Sequence, residues 1–100
     1  METCRPLKPE MLENPIRVRV NDPELDYPGA KKIADLKAKE RGHDPMLLAW
    51  YDRKTGRFSP NVECCGEEKP AWMIYAESRG GDITISVNDE TFVFIYRDLP

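Results

Sequence analysis

The sequence predicts an α+β fold, an antiparallel sheet of four to five strands with one helix packed on one face, in the order β-α-β-β-β-β. Three observations carry this. Ile16-Arg17-Val18-Arg19-Val20 alternates strictly, one run between 27 and 41 has the 3.6-residue period of a helix, and the chain beyond 45 turns to short β-rich segments joined by tight turns. With 100 residues, 40% of them hydrophobic, the chain makes a single small domain whose core must be shared by nearly every element. The nine aromatics are spread along it, which argues against disorder.

Residues 1–15 carry Pro6, Pro9 and Pro15 among Leu7, Met11 and Leu12, and read as an irregular arm laid across the surface of a single domain spanning 16–100. In the first strand Ile16, Val18 and Val20 point inward and the arginines outward, and Asn21-Asp22-Pro23 ends it. Asp26 is an N-cap and Pro28 sits in the first turn, where its missing N–H costs little. Tyr27, Ala30, Ile33, Ala34 and Ala38 then fall on one helical stripe, with Lys32, Asp35 and Lys39 facing away. Lys37 and Arg41 fall within the apolar sector and must snorkel along its edge. Gly42 stands at the C′ position, and Pro45 forbids continuation.

Met46-Leu47-Leu48-Ala49-Trp50-Tyr51 reads as a strongly apolar strand, 52–57 as a hairpin loop with Gly56 available for positive φ, and Phe58-Ser59 as the return strand limited by Pro60. After an acidic loop at 61–70, three further strands are expected at 71–77, 83–87 and 91–96, linked by turn-rich Ser78-Arg79-Gly80-Gly81-Asp82 and Asn88-Asp89-Glu90. Ile83, Ile85 and Val87 alternate with Thr84 and Ser86, giving one dry and one wet face. In the last strand both faces are apolar, Phe92, Phe94 and Tyr96 opposing Val93 and Ile95. A single helix covers one side, yet Trp50, Val93, Ile95 and either Trp72 or Tyr75 place apolar groups on both. The second face is therefore expected to be covered by the arm, by the 61–70 loop, by a second copy, or by a ligand.

The net charge of −3 hides an asymmetry. Residues 30–41 carry +3 and 61–100 carry −5. Lys31, Lys32, Lys37, Lys39 and Arg41 crowd toward the end of the helix where the macrodipole favours cations, around an Asp35–Lys39 i,i+4 pair, and read as a solvated face. The acidic remainder argues against nucleic acid. No stretch approaches the roughly 18 apolar residues of a membrane span, and Met1-Glu2-Thr3-Cys4-Arg5-Pro6 has no apolar h-region behind it. Three cysteines are an odd number, suited to a reducing compartment, and the expected location is cytoplasmic.

Trp50, Asp52, Arg53, Glu77, Arg79 and Asp82 are candidate binding residues. The five polar ones lie at strand ends, where short loops often converge. Cys64-Cys65 is the most unusual local feature, because adjacent Cα atoms about 3.8 Å apart are too close for an unstrained disulfide. Two neighbouring thiolates, with Cys4 as a third ligand, are the candidate soft-metal or redox site. Against it stand the absence of a C-x-x-C pair and the nearby Glu63, Glu67 and Glu68, which raise thiol pKa values. His43, the sole histidine, sits at the helix end beside Asp44 with no nucleophile motif nearby.

On Ala30-Lys31-Lys32-Ile33-Ala34, Asp44-Pro45-Met46-Leu47-Leu48-Ala49-Trp50-Tyr51-Asp52, Asn61-Val62-Glu63-Cys64-Cys65 and Tyr75-Ala76-Glu77-Ser78-Arg79-Gly80-Gly81-Asp82, the chain resembles a small prokaryotic family of about this length whose function is unknown. The resemblance spans residues from about 16 to 97 and implies no site residues. At the level of architecture the Ala30-to-Ala34 helix start and the Asp52…Thr55-Gly56 hairpin are also similar to the PepSY type of module. The expected function is a small cytoplasmic binding or interaction domain without a cofactor, homodimeric through the open sheet face or an edge strand. A thiol-based protein centred on Cys64 and Cys65 is the alternative.

Overall fold

The computed structural model describes residues 11–12, 14–60 and 70–99. Their elements are β1 (Ile16–Val18), α1 (Tyr27–Arg41), β2 (Pro45–Asp52), β3 (Arg57–Ser59), α2 (Ala71–Ser78), β4 (Ile83–Val87) and β5 (Phe92–Asp98). The five strands form one sheet in the order β1-β4-β5-β2-β3. Three pairings are antiparallel, and β1 runs parallel to β4. The β4–β5 hairpin is thus inserted between β1 and β2, which are parallel and joined by α1 as the crossover.

The helix expected between 27 and 41 forms with its anticipated cap. The Asp26 carboxylate accepts from Gly29 N at 3.2 Å, and Pro28 lies in the first turn. Its stripe of Ala30, Ala34 and Ala38 is fully buried, so the helix backbone settles close against Ile83, Ile85, Val87, Phe92, Phe94 and Tyr96. Tyr27 closes the upper end of this core, its ring 4.4 Å from that of Trp50. Gly42 is extended, not left-handed. A glycine is needed there because a Cβ would lie 2.5 Å from the carboxylate of Asp98, whose Oδ1 accepts from Asp44 N. Asp35 pairs with Lys31 at 2.9 Å instead of with Lys39, and its other oxygen accepts the Tyr96 hydroxyl at 2.6 Å.

Residues 71–77, expected as a strand, are helical, so the sheet carries two helices instead of the single one anticipated. Its short apolar run fits either period. Packing decides: Ala71, Trp72, Met73 and Ala76 are buried while Glu77 and Ser78 are exposed, a helical set that alternation would have split. The Pro70 carbonyl accepts from Met73 N and Ile74 N, and Gly80, at φ +84, ends the helix by turning into the left-handed region. A Cβ on Gly81 would lie 2.7 Å from Ile95 Cγ2, so the chain there passes directly over β5.

The second helix answers the question of the second face. Trp72, Met73 and Ala76 pack with Leu12 on Ala49, Val93 and Ile95, with Met11, Leu48, Tyr51 and Phe58 around them. The face expected to be open is buried within the chain, beneath α2 and the two described apolar residues of the arm. A register shift between Leu47 and Ala49 makes this possible. The extra residue lets Leu47 and Trp50 both serve the α1 side while Leu48, Ala49 and Tyr51 serve the other.

Candidate functional site

The six candidate binding residues divide between opposite ends of the sheet. Asp52 closes the β2–β3 hairpin at one end, buried, its Oδ1 accepting from Lys54 N at 2.9 Å and Thr55 N at 3.4 Å. Arg53 beside it is exposed, and Trp50 is packed against α1. Glu77, Arg79 and Asp82 lie at the other end, where α2 leads into β4. Asp52 pairs with Phe92 and Asp82 N donates to Tyr96 O, four residues along β5, which puts the two groups about 14 Å apart along the strand direction and on opposite sides of β5. Arg79 lies over the Tyr75 ring at 4.0 Å. His43 is exposed on the α1–β2 connection. Cys4, Cys64 and Cys65 lie outside the described residues, and among the described residues no group of His, Cys, Asp and Glu could hold a metal ion.

What the fold does bring together is a cleft on the α2 side. The helix packs chiefly on β2 and β5, so the polar face of β4 lies beside it. Thr84 there is half-buried, and Ser86, expected on a wet face, is buried and bonded to Glu90. At the lower end of that face is a cavity of about 280 Å³ lined by Met11, Leu12, Asn14, Met73, Glu77, Gly81, Asp82, Thr84 and Ile95. Leu12, Met73 and Ile95 give it an apolar wall, all three buried. Asp82 is held at its rim, since its Oδ1 accepts from Asp98 N at 3.1 Å. Of these residues the sequence singled out Glu77 and Asp82 as polar strand-end groups. Met73, Ile95, Leu12 and Asn14 were not assigned to a site, though the wet alternation at Thr84 marked the strand that borders it.

A second, smaller hollow of about 200 Å³ lies on the α1 side, lined by Lys31, Asp35, Lys39, Pro45, Leu47 and Tyr96. Here burial, and then the hydrogen bond to the Asp35 carboxylate, push the Tyr96 phenol well above its ordinary value. The bond to Asp35 likewise raises Lys31. Asp35 is already bonded by both neighbours, and the cluster ties α1 to β5.

Fold and cleft together define a small α+β domain with a helix on each face of a mixed five-stranded sheet. The chain belongs to a family described as a domain of unknown function, DUF5619, whose model matches residues 13–96. An uncharacterised protein of the archaeon Archaeoglobus fulgidus is 42% identical over 78 residues, 77% of this chain and 82% of that protein. The fold is also that of a crystal structure of AF1514 from the same organism, with a TM-score of 0.75 and 36% identity, covering 89% of this chain and 98% of that one. No helix among the described residues is long and apolar enough to cross a membrane.

Proposed function

We propose that this protein is a small binding domain of a reducing, cytoplasmic compartment, and that its ligand site is the cleft between α2, β4 and the Met11, Leu12 and Asn14 wall. The observation that carries the reading is the cavity of about 280 Å³, which sets an apolar wall of Leu12, Met73 and Ile95 against the polar groups of Asp82, Glu77 and Thr84. Binding sites combine these two kinds of lining, the apolar part for affinity and a few polar groups for orientation. The volume lies just below the roughly 300 Å³ at which drug-sized pockets begin, so it suits a compact molecule or a single side chain of a partner protein. The odd cysteine count supports the location. Both sheet faces are occupied by the chain's own helices, so a second copy pairing through the sheet would use one of the two three-residue edges, β1 or β3.

Two-dimensional NMR of the full chain, titrated with butylamine, butyrate and indole at millimolar concentration, tests this. Shifts gathered at Met73, Thr84 and Ile95, and weakened by Thr84→Val, are expected for at least one probe. Shifts scattered over the surface, or none, would overturn the cleft as a ligand site.

A further inference from the structure

The turn joining β4 to β5 contains three consecutive non-glycine residues in the left-handed region: Asn88 at φ 53, Asp89 at φ 54 and Glu90 at φ 66. Asn and Asp tolerate this conformation, but Glu does so rarely, and a run of three persists only where surrounding contacts enforce it. Those contacts are largely with one short segment. Asn88 Oδ1 accepts from Val20 N at 2.7 Å, its Nδ2 donates to Val20 O at 3.1 Å, and its backbone N donates to Val18 O at 2.8 Å. Asp89 pairs with Arg19 at 2.6 Å. Glu90, only 3% exposed, accepts from Arg17, and also from Ser86 Oγ at 2.9 Å.

Beyond the turn, the segment is held by its pairing with β4 and by Ile16, Val18 and Val20, which are partly buried against the α1-side core. β1 is a three-residue edge strand with one neighbour, and no hairpin ties it to that neighbour. Asn14, one residue before Pro15 and two before β1, lines the cleft. We infer that residues 14–20 form an edge strap, only its Asn14 end bordering the cleft, that opens and closes as one cooperative unit with the 88–90 turn. Lifting β1 takes Val18 and Val20 from Asn88, Arg19 from Asp89 and the Arg17 cation from buried Glu90, which keeps its bonds with Ser86. The turn therefore relaxes when the strap leaves and re-forms when it returns. The same movement carries Asn14 away from the cavity. Its meaning as a gate rests on the cleft being the ligand site; the coupled opening does not.

Native-state hydrogen exchange on the full chain, read by NMR, tests the coupling directly. The amides of Val20, Asn88 and Thr91 should share one opening equilibrium that is insensitive to low denaturant and on the order of tenfold or more above that of β5 amides such as Val93. Arg17→Met should raise the opening of all three together and leave Val93 unmoved. Glu90→Gly, which removes the strain along with the ion pair, should uncouple Thr91 from Val20. Exchange of the three amides at unrelated rates, or only through global unfolding, would overturn the strap. A failed probe titration with the shared opening intact would instead count against the cleft alone.

Discussion

On the α1 side a small-residue helix meets large sheet residues, with Ala30, Ala34 and Ala38 lying on Phe92, Phe94 and Tyr96. On the α2 side the sizes are reversed, and Trp72 and Met73 come down from the helix onto Ala49 and Val93. The same strand, β5, serves both arrangements through its alternating faces. The first helix has 15 residues, a side-chain N-cap and basic residues in its last turn, so local signals and packing agree about it. The second has eight residues, begins at Pro70 with no side-chain cap and carries no basic residue in its last turn. Isolated helices that short are marginal in water, so α2 is held in place almost entirely by what it buries. One face therefore depends on a helix that defines itself, and the other on a helix defined by the sheet.

That contrast is broken most sharply at Trp72, which is 2% exposed and stacked on Tyr51 with ring centroids 5.6 Å apart. Trp72→Ala should cost about 3–5 kcal/mol in the urea-unfolding free energy, and the α2 amides should lose protection ahead of those of α1. A loss below about 1 kcal/mol would mean that the second face is not packed as described. The matching change on the other face adds volume. Ala34→Leu forces a larger side chain between helix and sheet and should cost about 1–3 kcal/mol, with strain spread along the alanine stripe. Stabilisation by Ala34→Leu would show that α1 has room above the sheet, contrary to full burial of the stripe.

The difference between the two faces also explains what could be read from the residues alone. The alanine stripe, the Asp26 cap and the alternation at β1 and β4 are local patterns. The first two stand where the residues placed them, while the strand read over 16–20 ends at Val18 and Ser86, read as wet, is buried. The helical state of Ala71-Trp72-Met73-Ile74-Tyr75-Ala76 is not local. Six apolar residues fit either period, and only Ala49, Val93 and Ile95 of β2 and β5 beneath them, with the register shift at Leu48, settle which face is buried. Neither could the parallel pairing of β1 with β4 be inferred, because it depends on side chains of a turn 70 residues further on. The cleft shares this origin. Glu77, read as a strand-end carboxylate but helical, and Asp82 stand out in the sequence, but their neighbours Leu12, Met73 and Ile95 come from three separate segments, and Asp52, grouped with them by chemistry, belongs to the far end of the sheet.

The last contrast between the faces is one of pH. Tyr96, Lys31 and Tyr27 all lie on the α1 side and all have raised pKa values. Burial is the main cause for both tyrosines, and the Asp35 hydrogen bond is the main cause for Lys31. A group whose folded value exceeds its unfolded one favours folding fully below the unfolded value and loses that contribution as pH climbs through the folded one. The unfolded references are 10.0 for tyrosine and 10.5 for lysine, so stability should hold through neutral pH and decline above about pH 10. Tyr96→Phe removes the largest of these shifts together with one hydrogen bond to a half-exposed carboxylate. It should cost about 1 kcal/mol at neutral pH and make the alkaline decline shallower. Trp72→Ala, on the other face, should lower the whole curve without changing that slope. Urea midpoints of the three proteins, measured from pH 7 upward, separate the two behaviours, and an unaltered slope in Tyr96→Phe would mean that the link between α1 and β5 is not what ties stability to alkaline pH.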